Sequence, residues 1–165
     1  MKDSSVRLEN KNIEDLEMRK IYIGADSAGF SLKEEFKVHL SSLGYTVEDM
    51  GCDSTTSCHY PEFASRVCEK VQADLEGSFG ILICGTGIGM SMCANKHKSI
   101  RAAVCGDTYS AKMTRCHNDA NVLCIGARVT GSCLALDILD SFLSAEYEGG
   151  RHAIRVDMMK DIENK

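Results

Sequence analysis

A single thiol stands at the entrance of a glycine-rich turn. Residues 80–91 read GILICGTGIGMS, so Cys84 ends an apolar run and Gly85 to Gly89 lead into a helical pattern. Such a turn leaves backbone N–H groups exposed at the start of a helix, which suits a phosphate or a developing oxyanion such as an enediolate. A thiol near a helix N-terminus has its thiolate favoured, as a base or nucleophile requires. The loop therefore predicts reactive thiol chemistry at Cys84 beside an anion site.

The glycine pattern does not match the two common nucleotide-binding loops. It lacks the Lys-Ser/Thr ending of a P-loop, and the third glycine of GTGIG comes too early for the GxGxxG dinucleotide fingerprint. A nucleotide-binding oxidoreductase is therefore a disfavoured class of function.

A second polar cluster, RCHNDAN at residues 115–121, precedes an apolar stretch. Asn and Asp commonly form the turn that ends a helix, so the cluster also has a purely structural explanation. Beside a reactive cysteine on the same edge of the fold, His117 becomes a candidate to carry a proton near neutral pH.

A third cluster, EGGRHAIR at residues 148–155, contains two arginines. Arg151 and Arg155 are four residues apart, so they share one helix face and can hold one phosphate through forked N–H donors. The alternative is an ordinary solvated basic face. Spacing alone does not decide between the two.

The composition favours one soluble domain without nucleic-acid or membrane partners. The chain has 165 residues, 44% of them hydrophobic, and a net charge of -5 at pH 7. A negative chain has no electrostatic reason to bind nucleic acid or an anionic membrane. No apolar run approaches the roughly 20 residues that cross a bilayer. Residues 1–18 are predicted as a polar tail and residues 19–165 as a single domain.

The nine cysteines fit a reducing, cytoplasmic location better than a disulfide framework. Their number is odd, and the polar N-terminal segment contains no apolar signal stretch. No CxxC pair occurs and no His/Cys cluster has zinc-site spacing, so we expect no metal. Most cysteines are expected to be small buried residues, and both burial and low reactivity are expected of Cys93, Cys105 and Cys124.

Short apolar runs alternate with helical stretches from Arg19 onward, which predicts repeated βα units. The fold class is therefore α/β, with a five-stranded, mainly parallel sheet. Strands are expected near residues 20–25, 45–50, 80–84, 100–105 and 121–125. Helices are expected near residues 29–43, 61–75, 88–97, 108–116, 131–144 and 150–163.

Ligands of such open sheets bind beyond the carboxyl ends of the strands. Four loops of this sequence follow predicted strands and should share that edge: Asp26-Ser27, Cys84 to Gly89, Gly106-Asp107 and Gly126 to Arg128.

Around these segments the chain closely resembles the type B ribose-5-phosphate isomerases, in the sugar-phosphate isomerase family that also contains the galactose-6-phosphate isomerase subunits. The resemblance covers about residues 20–156, and CGTGIGMS and HNDANV are its most specific motifs. The matching stretches are GADSAGFSLKEE, YPEFASRV, GILICGTGIGMSMCANK, IRAAVCGDTYSAKMTRCHNDANVLCIGARVTG and EYEGGRHAIRV.

The resemblance implies a Rossmann-like three-layer α/β/α sandwich that forms a homodimer, with each active site at the interface. It implies no metal or organic cofactor. Whether the dimers pair into tetramers stays open at this point. The implied reaction interconverts D-ribose 5-phosphate and D-ribulose 5-phosphate, a step of the pentose phosphate pathway.

Catalytic roles follow from the same resemblance. Cys84 resembles the base that moves a proton between the two carbons, and Thr86 adds a hydroxyl near the reacting oxygens. His117 resembles the acid that opens the furanose ring, helped by Asp26, and is expected to come from the partner subunit.

The implied substrate-binding residues fall into three groups. Backbone amides of the glycine loop stabilise the enediolate, polar side chains contact the sugar, and arginines bind its phosphate. They are Gly85, Gly87, Ile88 and Gly89; then Ser27, Tyr60 and Asn118, the last from the partner subunit; and then Arg128, Arg151 and Arg155.

Two positions depart from the family pattern. Ser27 stands where type B isomerases usually have a histidine, and His59 replaces an aspartate commonly found before the Tyr-Pro pair. Serine still offers a hydroxyl but lacks the reach and charge of imidazole. Two alternatives therefore stay open: an isomerase of a six-carbon sugar phosphate such as allose or galactose 6-phosphate, and a non-catalytic sugar-phosphate sensor.

Overall fold

The computed structural model describes residues 18–165. Within them, strands and helices alternate along the chain until two helices end it. The elements are β1 (Lys20–Ala25), α1 (Phe30–Ser42), β2 (Val47–Asp49), α2 (Tyr60–Ala73), β3 (Ser78–Cys84), α3 (Ile88–Ala94), β4 (Ala102–Val104), α4 (Thr108–Asn118), β5 (Val122–Gly126), α5 (Ser132–Leu143) and α6 (Arg151–Glu163).

The five strands form one sheet in the order β2-β1-β3-β5-β4, and every neighbouring pair is parallel. The predicted α/β fold is thereby confirmed. Because all strands point the same way, the loops after them lie on one edge of the sheet. We call this the carboxyl edge and the opposite one the amino edge.

Helices cover both faces of the sheet, which gives the predicted three layers. The side chains of β3 alternate between two cores: Ile81 and Ile83 pack with α1 and α5, whereas Leu82 and Cys84 pack with α2 and α3. Every residue of β3 is buried. This central strand therefore holds Cys84 rigidly at the carboxyl edge.

All nine cysteines are free thiols. Cys105 and Cys124 are buried as expected, and burial raises the pKa of the Cys105 thiol to about 11. The expectation of burial was wrong for Cys93, which is half-buried. Met90 and Ala94 form the face of α3 that packs on the sheet, and Cys93 lies beside that face.

None of the helices in residues 18–165 is long and apolar enough to cross a membrane. The predicted polar tail, residues 1–18, lies outside the described residues except for Met18.

Candidate active site

Cys84 is the last residue of β3, and its thiol accepts a hydrogen bond from the glycine turn. The backbone N–H of Gly87 donates to Cys84 Sγ over 3.1 Å. Gly87 precedes α3 with a φ of 78°, a left-handed conformation that favours glycine. A side chain at this position would also stand 3.0 Å from the backbone of Ile125. This hydrogen bond holds the Cys84 thiol against the glycine turn.

Two of the four amides expected to hold an anion, those of Gly87 and Ile88, are engaged within the turn itself. Gly87 donates to the thiol, and the N–H of Ile88 faces the Thr86 hydroxyl at 3.3 Å. Thr86 is exposed, so a ligand can replace this long contact.

The loop after β5 is tied to the glycine turn by two backbone hydrogen bonds. The N–H groups of Ala127 and Arg128 donate to the carbonyls of Cys84 and Gly85 over 2.8 and 3.0 Å. A Cβ at Gly85 would lie 3.5 Å from Arg128 Cδ, so the guanidinium side chain passes directly over the turn. Arg128 therefore places a positive charge against Gly85, the residue that follows Cys84.

Tyr60, the first residue of α2, covers the other side of the turn. A Cβ at Gly89 would lie 2.7 Å from Cζ of the Tyr60 ring and 3.1 Å from its hydroxyl oxygen. The ring thus occupies the space that a side chain at residue 89 would need. Its hydroxyl lies at the first turn of α3, within reach of a ligand bound there.

Asp26 and Ser27 follow β1 on the same edge. Asp26 Oδ1 accepts the N–H groups of Ala28 and Gly29 over 2.9 and 3.0 Å, which holds the turn that starts α1. Oδ2 takes part in neither of these hydrogen bonds. Ser27 is half-buried in this turn.

These residues lie at the carboxyl edge and make up one half of the candidate site. We call it the thiol half-site; it consists of Asp26, Ser27, Tyr60, Cys84, Gly85, Thr86, Gly87, Ile88, Gly89 and Arg128.

The remaining predicted residues lie together elsewhere. His117 is near the end of α4, and its ring stacks on His152 of α6 with centroids 4.1 Å apart and planes 6° apart. Arg151 Nε donates to His152 Nε2 over 3.4 Å. Asn118 follows His117 in the sequence, and Arg155 lies one helical turn after Arg151. Both side chains are exposed. We call His117, Asn118, Arg151 and Arg155 the histidine half-site.

The two half-sites are at opposite edges of the sheet. Cys84 pairs with Gly126 at the carboxyl end of β5, whereas α4 ends at Asn118, just before β5 begins. The seven residues of β3 correspond to about 20 Å of strand between the two edges. One chain therefore does not bring His117 to Cys84.

Two grooves in residues 18–165 also lie away from the thiol. One of about 480 Å³ runs beside β4 and α6, with Asn118 in its wall, and one of about 660 Å³ lies near Arg19 and Tyr147. Cys84 lines neither groove. Neither groove is therefore part of the thiol half-site.

Sequence reasoning gave no role to Glu148 and His152, although both contact the predicted acid. Glu148 Oε2 lies 4.0 Å from His117 Nε2 and 3.5 Å from His152 Nε2. The i, i+4 spacing of Glu148 and His152 was a visible signal. Their approach to His117, more than 30 residues away, is tertiary and has no local signature.

Comparison with known proteins identifies the family. The model of the Ribose/Galactose Isomerase family matches residues 21–159, nearly all of the chain that forms the fold. The chain belongs to this family.

Individual members of the ribose/galactose isomerase family are similar over almost their full length. Ribose-5-phosphate isomerase B of Escherichia coli is 49% identical over 148 residues, which are 90% of this chain and 99% of that protein. D-Erythrulose-4-phosphate isomerase of Pectobacterium atrosepticum is 44% identical over 90% of this chain and 97% of that protein. The structure of Clostridium thermocellum ribose-5-phosphate isomerase B superposes with a TM-score of 0.86 at 50% identity, covering 88% of this chain and 97% of that one.

Proposed function

We propose that this member of the ribose/galactose isomerase family interconverts D-ribose 5-phosphate and D-ribulose 5-phosphate through an enediolate. The observation that carries the proposal is the thiol of Cys84, held by the Gly87 N–H at the carboxyl edge beside Arg128 and Tyr60. Cys84 thus supplies a base, the glycine turn an oxyanion site and Arg128 a cation, all at the carboxyl edge. An aldose–ketose isomerisation needs all three.

Cys84 acts as the base. Its thiolate takes the proton from C2 of the open-chain aldose, the electrons of that C–H bond form the C1–C2 double bond, and O1 becomes the enediolate oxyanion. The thiol then returns the proton to C1, while a proton passes from O2 to O1 and the C2 carbonyl forms. Backbone N–H groups of residues 85–89 stabilise the oxyanion, and the Thr86 hydroxyl assists the exchange between the two oxygens.

His117 opens the furanose ring by donating a proton to the ring oxygen, with Asp26 as its partner in this step. Because one chain keeps His117 about 20 Å from Cys84, the histidine half-site of a second subunit completes each thiol half-site. The protein is then a homodimer with two shared active sites.

Exposed apolar side chains beside the thiol support this homodimer. Ile88 and Met92 are one turn apart on α3 and are 54% and 64% exposed. Large apolar residues next to a polar site are typical of a surface that another chain covers. A partner seated there brings its own residues over Cys84.

The phosphate is held by arginines from both subunits. Arg151 shares a cluster with His117 through the stacked His152, so a subunit that supplies His117 also supplies Arg151 and Arg155. Arg128 adds a charge from the thiol side. Forked guanidinium donors suit phosphate oxygens, and the anchored substrate keeps its C1 and C2 at the base.

The length of the sugar depends on the surroundings of Ser27. Serine leaves more room than the histidine usual at this position, which favours a longer sugar. A relative at 44% identity is named for a four-carbon substrate, which favours a shorter one. We expect the highest kcat/KM for the five-carbon phosphate. Specificity constants for four-, five- and six-carbon aldose phosphates measure this directly, and a higher value for either of the others would replace the proposed substrate.

The decisive assay is turnover of D-ribose 5-phosphate by the purified protein with a chelator present, since we propose a cytoplasmic enzyme without metal or organic cofactor. Cys84→Ser should lower kcat by at least about 100-fold, because general acid–base groups typically contribute 10²- to 10⁴-fold. Cys133→Ser, at an exposed cysteine on α5, is the matched control and should keep normal turnover. Turnover that survives in Cys84→Ser would refute the base, and absence of turnover in the unmutated protein would favour a sensor.

A further inference from the structure

The groove of about 660 Å³ lies at the amino edge, and we call it the amino-edge groove. Its walls come from the segments before β1, β2 and β3, the end of α4 and the segment after α5. Three aromatic rings, those of Tyr45, Phe79 and Tyr147, line it. Sites for small molecules have volumes of about 300–1,000 Å³, so the groove is large enough for a ligand. The proposed isomerisation does not use it.

Two buried polar atoms in the walls of this groove lack a hydrogen-bond partner. Arg115 is 3% exposed, and its Nη1 donates to Asp119 Oδ1 over 2.9 Å and to the Ala120 carbonyl over 2.7 Å. Within residues 18–165, neither Arg115 Nε nor the Tyr147 hydroxyl has a partner. Buried polar atoms are paired in nearly all folded proteins, so we expect a group outside these residues to pair with them.

Three guanidinium groups surround one carboxylate at the deep end of the groove. Arg115 Nη1 and Arg101 Nη2 each lie 2.9 Å from an oxygen of Asp119. The Cζ atoms of Arg19 and Arg115 lie 4.5 and 4.6 Å from the centroid of the Phe79 ring. The positive charge of the three arginines therefore exceeds the negative charge of Asp119.

Two further carboxylates of the amino-edge groove, Glu76 and Glu146, are exposed. Water screens charges at such positions much more than charges in the interior. The buried guanidinium of Arg115 therefore dominates the electrostatics at the deep end of the groove, which favours an anion there.

We propose that the amino-edge groove binds a small organic anion with a planar or apolar body. Its carboxylate or phosphate group accepts hydrogen bonds from Arg115 Nε and the Tyr147 hydroxyl, and its body lies against the aromatic walls. Nε and Nη2 of one guanidinium form a fork that fits two oxygens of such a group. Because Arg115 Nε is buried, a half-buried side chain of the wall, Arg19 or Tyr147, turns aside as the anion enters.

The proposal is independent of the isomerase activity and is tested by binding. The full chain is titrated with phenyl phosphate, which joins a phosphate to a planar ring, and with benzoate, its carboxylate counterpart. Arg151→Ala and Arg155→Ala are both introduced beforehand, because these residues are expected to bind the phosphate of the sugar. ¹H–¹⁵N NMR then follows the side-chain Nε–H signal of Arg115. We expect a saturable shift of this signal to higher frequency, and the tighter probe identifies the preferred anion.

Variants of the groove wall, made in the same background, locate the bound probe. Arg19→Gln and Tyr147→Phe should each weaken binding about tenfold, the effect of one lost hydrogen bond to a charged group. Arg66→Gln is the matched control, because Arg66 also lies over a phenylalanine ring, that of Phe63 at 5.1 Å, but is exposed on α2. It should bind the probes normally.

An Arg115 Nε–H signal that does not move with either probe at millimolar concentration would overturn the proposal. Equal binding by Arg19→Gln, Tyr147→Phe and Arg66→Gln would do the same, because it would place the probe elsewhere. Nuclear Overhauser contacts between the Arg115 Nε–H and residues 1–17 in the ligand-free protein would also overturn it, since the chain would then supply the missing partner itself.

Discussion

Residue 89 is a glycine, and the ring of Tyr60 occupies the space that a side chain there would need. A Cβ there would lie 2.7 Å from Tyr60 Cζ, so Gly89→Ala forces the exposed ring away from the turn. The helix itself tolerates alanine, which is about 1 kcal/mol more favourable than glycine in a helix. Gly89→Ala should therefore move the Tyr60 ring without lowering the stability of the fold.

We expect Gly89→Ala to raise KM for the sugar phosphate about tenfold, the effect of one lost hydrogen bond to substrate, with an unchanged or higher melting temperature. Gly106→Ala is the matched control on the same edge, because a Cβ at Gly106 meets no atom within 4 Å. Steady-state kinetics of both variants test this. Equal KM values would show that Tyr60 does not contact the substrate.

At the scale of elements, β2 is attached to α1 by a buried ion pair. Lys33 is 1% exposed, and its Nζ lies 2.6 Å from Asp49 Oδ2, which Lys37 also contacts at 2.7 Å. Burial acts to raise the pKa of the Asp49 carboxyl, but the two ammonium groups outweigh it and hold that pKa below its ordinary value. Asp49 therefore stabilises the fold in its charged form.

Asp49→Asn leaves the Lys33 charge buried with a weaker partner, so we expect a loss of about 3 kcal/mol in the free energy of unfolding at pH 7. Because the folded-state pKa is lowered, this difference is fully present above about pH 4 and disappears as the pH falls through the lowered value.

Urea denaturation at pH 7 and pH 3 measures the effect. Glu48→Gln, at the preceding residue of β2, removes a solvent-screened pair with Lys20 and should cost much less stability than Asp49→Asn. An equal loss of unfolding free energy in Asp49→Asn and Glu48→Gln would contradict the assigned role of Asp49.

The elements themselves were largely predictable from the sequence. The apolar run of β1 was predicted at the residues where it occurs, and each expected helix was found within three residues of its bounds. The edge strands β2 and β4 were predicted too long, at 45–50 and 100–105. An edge strand has one neighbour, and its length is fixed by that pairing: β2 pairs with β1 only through Val47–Asp49.

Tertiary contacts between distant segments were not predictable in the same way. The position of Cys84 followed from an apolar strand that ends in a glycine turn, both visible in twelve residues. The packing of Tyr60 on Gly89 and the stacking of His117 on His152 join segments about 30 residues apart. No local pattern encodes such contacts.

At the scale of the whole molecule, one half of the proposed active site lies at each edge of the sheet. The thiol half-site has the proposed base and oxyanion turn, and the histidine half-site has the proposed acid and two arginines. In the proposed homodimer, two chains related by a two-fold axis make two complete sites, since a residue that contacts the partner is contacted in return. The shared site is the central claim of this account.

Mixing two inactive variants tests that claim most directly. Cys84→Ala and His117→Ala proteins are each assayed alone, then unfolded together, refolded in equal amounts and assayed with D-ribose 5-phosphate. Random pairing makes half of the dimers mixed, and each mixed dimer has one intact shared site, so about a quarter of normal activity should return. No recovery, with mixed dimers demonstrated by mass spectrometry, would contradict an active site built from Cys84 of one subunit and His117 of the other.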